Sequence, residues 1–214
     1  MKIYRPIRTN RKTQGFGENM TCVNRLGKVT DKIKIGLTFV CPAGYTDLYK
    51  TYSMLGHNGE DWALWRGEPV YNPIDGMKFR VKTEVDGNGG IGVNLISMER
   101  FEGNYLKFKF WHLQKVAVHD DQMVEAGALI GYGDSTGLSS GDHLHWSMKP
   151  CDAQGNVLNR NNGYTGAVDF SPHFENVFIL DVLLLKEKAL DAIQKTNKLI
   201  FQIRQLLAYL LLRQ

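Results

Sequence analysis

A chain of 214 residues, 43% hydrophobic and 22% charged, has room for one well-formed domain and an appendage and is too apolar for a disordered tail. The formal charge of +4 is spread along the chain apart from the amino-terminal RTNRK, which suits a polyanionic surface such as a bacterial wall and argues against nucleic acid as the partner. The opening MKIYRPIRTNRKTQGFGEN has no apolar core of signal-peptide length, and no apolar run is long enough to span a bilayer, so neither a signal peptide nor a transmembrane segment is expected.

In chain order, three cysteines come first: Cys22, Cys41 and Cys151. Their odd number and the lack of a Cys-x-x-Cys pair argue against a disulfide framework and a thiolate zinc site; buried thiols are expected, with a Cys22–Cys41 bridge left open. From about Thr13 to Pro150, turn signals recur at short intervals (VDGNGG, FEGN, HDDQ, GDSTG, LSSGD), which predicts an all-β domain. GHNGEDW sets His57 four residues before Asp61, and Gly56 and Gly59 disfavour a helix there, so the segment is read as a loop entering a strand. KFRVKTEV, GGIGVNLISM and YLKFKFWHL are predicted strands. In GDHLHWS, His143, His145 and Ser147 alternate with Leu144, Trp146 and Met148; in an extended strand both imidazoles share one face and Leu144 points to the core. DAQGNVLNRNNGYTGAVDFSP is a loop closed by Pro172.

The character changes after Pro172, where glycine and proline vanish and helix formers dominate. The expected division is a body over 1–174 and a helical tail over 175–214. Ala189, Ile193, Thr196, Ile200, Ile203, Leu207 and Leu210 form a heptad seam. That seam fits a helix folded back on the body, a self-associating coiled coil or, given Lys186, Lys188, Lys195, Lys198 and Arg204 on the polar face, a membrane-surface helix.

A histidine and a carboxylate from one loop, joined by a histidine from a distant strand, make a three-ligand set with one tetrahedral position open, as a catalytic zinc requires. The chain resembles the lysostaphin-type zinc endopeptidases of bacterial peptidoglycan. GHNGEDWALWRGEPVYNPIDGMKFRV is similar to their first ligand motif, FWHL to their central aromatic-x-His-Leu element, and VEAGALIGYGDSTGLSSGDHLHWSM to their glycine-rich hairpin leading to His-Leu-His; TQGFG resembles the opening strand. The resemblance covers roughly Thr13 to Met148 with every motif in order. It implies a mainly β, antiparallel catalytic fold, Zn2+ held by His57, Asp61 and His145, and His112 and His143 as catalytic groups beside the metal. Tyr52 is an oxyanion-donor candidate on the same basis. Glu60, Asp142, Trp146 and Met148 depart from the family pattern without touching a ligand position. His119 and His173 match no motif and are read as surface histidines; Asp75 and Glu84 are given turn and strand-face roles.

The activity implied is hydrolysis of an amide in the peptide stems or crosslinks of peptidoglycan, acting on the cell wall as a phage-associated enzyme. A rival reading is an inactive wall-binding or virion assembly module on the same fold, and an iron-oxygen site of two histidines and one carboxylate is a third. The tail is expected to serve a homo-oligomer or an assembly partner.

Overall fold

The structure, a computed structural model, describes residues 1–211, with side chains to Gln205. Seven short strands, β1 (Lys2–Arg5), β2 (Lys12–Gln14), β3 (Thr21–Asn24), β4 (Val29–Asp31), β5 (Ile33–Ile35), β6 (Thr38–Val40) and β7 (Tyr45–Asp47), lead to the single-turn helix α1 (Leu48–Thr51). Then come β8 (Glu60–Ala63), β9 (Pro69–Tyr71), β10 (Ile74–Asp75), β11 (Phe79–Asp86), β12 (Gly90–Ser97), β13 (Tyr105–Val116), β14 (Met123–Val124), β15 (Leu129–Gly133) and β16 (His143–Cys151). A 3-10 turn at Ser171–His173, β17 (Phe174–Phe178) and the long helix α2 (Ile179–Leu211) complete the order.

The central antiparallel sheet runs β14-β11-β12-β13-β16-β8-β2, with β15 paired to β13 and β9. Alternation builds its two faces. Phe79 and Val81 of β11, Phe108 and Phe110 of β13, and Leu144 and Trp146 of β16 enter one buried cluster. Trp146 anchors it, its ring 4.4 Å from Phe170 and 6.0 Å from Phe110. Each such side chain withdrawn from water contributes about 1.5–3 kcal/mol, so a one-residue slip of β16 would forfeit the core and turn the histidines the wrong way. The opposite face is roofed by the segment before β8 and by the loop after β16.

Cys22 and Cys41 form a disulfide, so the expectation of buried thiols is corrected for these two. The sheet β4-β3-β7 has few buried apolar residues of its own, chiefly Cys22, Val23 and Val29, with Tyr49 of α1 buried next to it, and the bridge ties the exposed β5–β6 hairpin region to it. Cys151 is free and buried, and burial pushes its thiol up to about 11.

The helix starts later than 175. Residues 174–178 form β17, parallel to β1, and Phe174 packs against Trp62 and Trp146. Phe178 and Ile179 are buried with Tyr4, and Leu180, Val182 and Leu183 lie partly over them. Beyond that seal, residues 184–205 are exposed throughout. The 33-residue helix is about 50 Å long and projects from the body. The side chains of Leu207 and Leu210 lie outside the described ones. Among the described residues no helix is long and apolar enough to cross a membrane.

Candidate metal centre

His57 sits in the loop entering β8, and backbone pairing places it: its N–H donates to the Glu18 carbonyl at 2.7 Å and its carbonyl accepts from Gly17 N–H at 2.8 Å. That approach leaves no space at Gly56, where a Cβ would stand 2.3 Å from the Gly17 oxygen. Asp61 on β8 lies opposite His145 on β16 in the strand register. The three side chains converge. His57 Nε2 is 2.9 Å from His145 Nδ1 and 3.2 Å from Asp61 Oδ1, and His145 Nδ1 is 2.9 Å from the same oxygen. Among the described residues these three form a group able to hold a metal ion.

The donor set fits zinc. Ligands at about 2.0 Å on a tetrahedron stand about 3.3 Å from one another, close to the spacing found. The His57 Nδ1–H donates to the Gly15 carbonyl at 3.2 Å, which leaves the Nε2 lone pair for the cluster. Burial drives His145 down to about 3, so it stays neutral. At His57 burial acts the same way, but the Asp61 carboxylate outweighs it and raises the group. Burial would raise Asp61, yet the charges of His57 and His143 hold it well below the usual carboxylate range. Two imidazole nitrogens and a carboxylate oxygen crowd one point, an arrangement that favours positive charge there, whether a proton on His57 or a metal cation.

His143 reaches the same place by strand alternation. Its Nδ1–H donates to the Gly141 carbonyl at 2.8 Å, and its Nε2 is 3.7 Å from Asp61 Oδ2. His112 gets there otherwise. Strict alternation along β13 would put it on the core face with Phe108 and Phe110, but β12 and β13 lose register between Ile91 and Val93, opposite Leu113 and Phe110. The extra residue is absorbed by a bulge at which His112 has φ +62, and the bulge turns its ring to the side where Trp111 lies. Both line the cleft. The His112 Nδ1–H donates to the Thr136 carbonyl at 2.7 Å, and its ring centroid is 4.5 Å from that of His143. Burial, then the neighbouring His143, lowers His112 to about 4.

Two residues have a role at the site that the sequence reading did not give them. Trp111 stacks on His145 with centroids 5.3 Å apart, and its indole N–H donates to Glu84 on β11. Glu84 is therefore more than a strand-face residue: it holds the ring that braces the third member of the cluster. GGIG makes room for that ring, since a Cβ at Gly89 would lie 2.3 Å from the indole and one at Gly92 2.6 Å. The glycine run was the available signal, but only the pairing of β12 with β13 shows what fills the space. Tyr52 is at the cleft, its hydroxyl donating to Asn88 Oδ1 at 3.0 Å. Away from the site, His119 is exposed, His173 packs edge-on to Phe101, and Asp75 pairs with Lys186. Glu60, buried, pairs with Lys12 and accepts the Trp62 indole N–H; Asp142 pairs with Arg66.

Fold and site define an antiparallel β protein with three side chains able to hold a metal ion grouped on one face of its sheet, beside two further histidines in a cleft of about 1180 Å3. Residues 55–160 match the model of peptidase family M23, and the chain belongs to that family of lysostaphin-type peptidases. It is 33% identical over 92 residues to the peptidoglycan DD-endopeptidase ShyA of Vibrio cholerae, covering 43% of this chain and 20% of that protein. To ShyB of the same organism it is 30% identical over 115 residues, covering 48% and 24%. The chain thus spans about a quarter or less of these curated relatives. Among solved structures, the catalytic domain of lysostaphin from Staphylococcus simulans is similar at 26% identity and a TM-score of 0.44, over 55% of this chain and 77% of that one.

Proposed function

We propose that the chain is a zinc endopeptidase that hydrolyses an amide in the peptide stems or crosslinks of bacterial peptidoglycan, with His57, Asp61 and His145 as ligands and His112 and His143 as the catalytic groups. One observation carries the reading: a three-donor cluster lies directly beside two histidines whose Nδ1 atoms are both committed to backbone carbonyls. Zinc bound there would supply a Lewis acid and a water acidified to about pKa 7.

The chain's own groups do the rest. With Nδ1–H held by Gly141 and Thr136 carbonyls, His143 and His112 exchange protons only through Nε2. His112, held neutral by burial, offers that atom as an acceptor. His143, whose Nε2 lies 3.7 Å from Asp61 Oδ2, is assigned delivery of a proton to the leaving amine. Trp111 and its support by Glu84 keep His145 in place while the other groups change charge. The kinship to ShyA and ShyB, each a peptidoglycan DD-endopeptidase, supports the substrate class.

Digestion of purified peptidoglycans of several wall chemotypes by the zinc-loaded chain, with new amino ends identified by mass spectrometry, tests the proposal. New amino ends that vanish with the His145→Ala variant are expected. Peptidoglycans left intact by a fully metallated chain would overturn it.

A further inference from the structure

The face of the sheet that carries the histidines continues past them. On β16, His143, His145, Ser147 and Lys149 share that face; on β13, Trp111, Lys109 and Lys107 do. Register sets Trp111 beside His145, Lys109 beside Ser147 and Lys107 beside Lys149. The metal cluster and a row of lysines are therefore two ends of one trough, and Arg160, from the loop roofing it, lines the same cleft.

Charge in this trough is not balanced. Lys149 is 6% exposed, and its ammonium donates only to Thr165, to the carbonyl at 3.1 Å and the hydroxyl at 3.0 Å. Lys107 donates to the Gly155 carbonyl at 3.2 Å. Of the four cations only Lys109 has a carboxylate, Glu84 at 3.0 Å, and Glu84 is also engaged by the Trp111 indole. No ion pair among the described residues involves Lys107, Lys149 or Arg160. Burial of a cation without a counter-ion is costly. Burial and then the charges of Lys109, Lys107 and Arg160 push Lys149 down to about 7, and burial, then Lys109 and to a smaller extent Arg160, lower Lys107. A chain does not gather such a set for stability. Lys149 is four residues along β16 from His145, about 13 Å at about 3.3 Å per residue, the reach of a few residues of extended peptide.

We infer that Lys107, Lys149 and Arg160 form an anion subsite that takes a free carboxylate of an acidic peptide laid along the sheet with another of its bonds at the metal cluster. The inference rests on the peptidase reading for the second half of that statement and on the cation row alone for the first. Peptidoglycan stems carry such carboxylates at glutamate and at the carboxy terminus, so the subsite would select substrates by charge as well as by bond. Lys149, with one donor direction left over, would meet one carboxylate oxygen, and Arg160 can approach from the roof in its fork geometry.

The test uses the full zinc-loaded chain and two probes, the tetrapeptide L-Ala-γ-D-Glu-L-Lys-D-Ala with free carboxylates and the same peptide fully amidated. Chemical-shift titration should show the free acid binding about tenfold or more tightly, with shifts at the backbone of residues 147–149 and 160–165. Because Lys149→Met is exposed to misfolding, Lys107→Gln and Arg160→Gln, both at less buried positions, carry the decision: each should weaken acid binding several-fold and shrink the acid-to-amide preference. Equal binding of acid and amide, or unaltered acid binding in both variants, overturns the subsite. A wild-type chain that binds the acid selectively at these residues yet releases no amino ends from peptidoglycan keeps the subsite and loses the peptidase reading. A chain that cuts peptidoglycan and binds acid and amide alike does the reverse.

Discussion

His143 and His145 show how two like residues on one strand face meet different partners. His145 turns Nδ1 toward Asp61 and His57, whereas His143 spends Nδ1 on the Gly141 carbonyl and keeps Nε2 for the cleft. Replacing His145 with Ala removes one of three donors and should leave zinc substoichiometric by metal analysis. His112→Ala and His143→Ala should each retain one zinc while the rate falls about a hundredfold or more, as loss of a general acid or base does. Loss of metal from either, with retention in Asp61→Ala, would exchange the assigned roles. Lys149 sets a pH dependence of stability. Its folded value of about 7 lies below the usual 10.5, through burial and then Lys109, Lys107 and Arg160, with Glu84 opposing. Between those limits the unfolded chain holds a proton that the folded chain lacks, so stability rises with pH. Urea midpoints at about pH 7 and about pH 9 should show this rise, and Lys149→Met should flatten it.

At the scale of elements, the bulge between β12 and β13 does most to assemble the site. It brings Trp111 and His112 to one side although they are consecutive, at the cost of a left-handed conformation for a histidine. The glycines of β12 and its approach are the other half of that device. Gly89→Ala should be decisive, because a Cβ 2.3 Å from the Trp111 indole displaces a rigid ring and with it the brace on His145. The expected outcome is a folded protein, destabilised by about 1–3 kcal/mol, with altered tryptophan fluorescence. Zinc affinity by chelator competition should drop about tenfold, in line with the loss of an outer support to a ligand. Unchanged zinc affinity would show that the brace has no part in holding the metal.

For the whole molecule, the junction between body and tail decides where the chain can be cut. A break after Pro172 removes β17, deprives β1 of its parallel neighbour and takes Phe174 from beside Trp62 and Trp146. A break after Glu187 keeps β17, the buried Ile179 and the Lys186–Asp75 pair. The shorter chain should be a soluble, zinc-binding monomer. The full chain exposes Ile193, Ile200 and Ile203 on the part of the helix beyond the body, and such a stripe should seek another copy. Sedimentation checks this: a strictly monomeric full chain at high concentration would show that the seam is not a self-association surface.

Much of the site was legible because it follows from short-range rules. Period-two alternation puts His143 and His145 on one face and Leu144 in the core whatever the rest of the chain does, and Gly56 and Gly59 keep His57 and Asp61 out of a helix. The three long strands and the helical character of the tail follow from the same local patterning. What needed the tertiary structure was each feature set by partners distant in sequence. Alternation alone would turn His112 away from the site; the bulge that returns it depends on pairing with β12. The Cys22–Cys41 bridge depends on how the chain folds back around a three-stranded sheet, and cysteine count carries no such geometry. Residues 174–178 look continuous with the helix until β1, at the other end of the chain, offers its edge. Lys107, Lys149 and Arg160 are unremarkable cations along the sequence, and they become one charged trough only when β13 and β16 lie side by side beneath the loop that follows them.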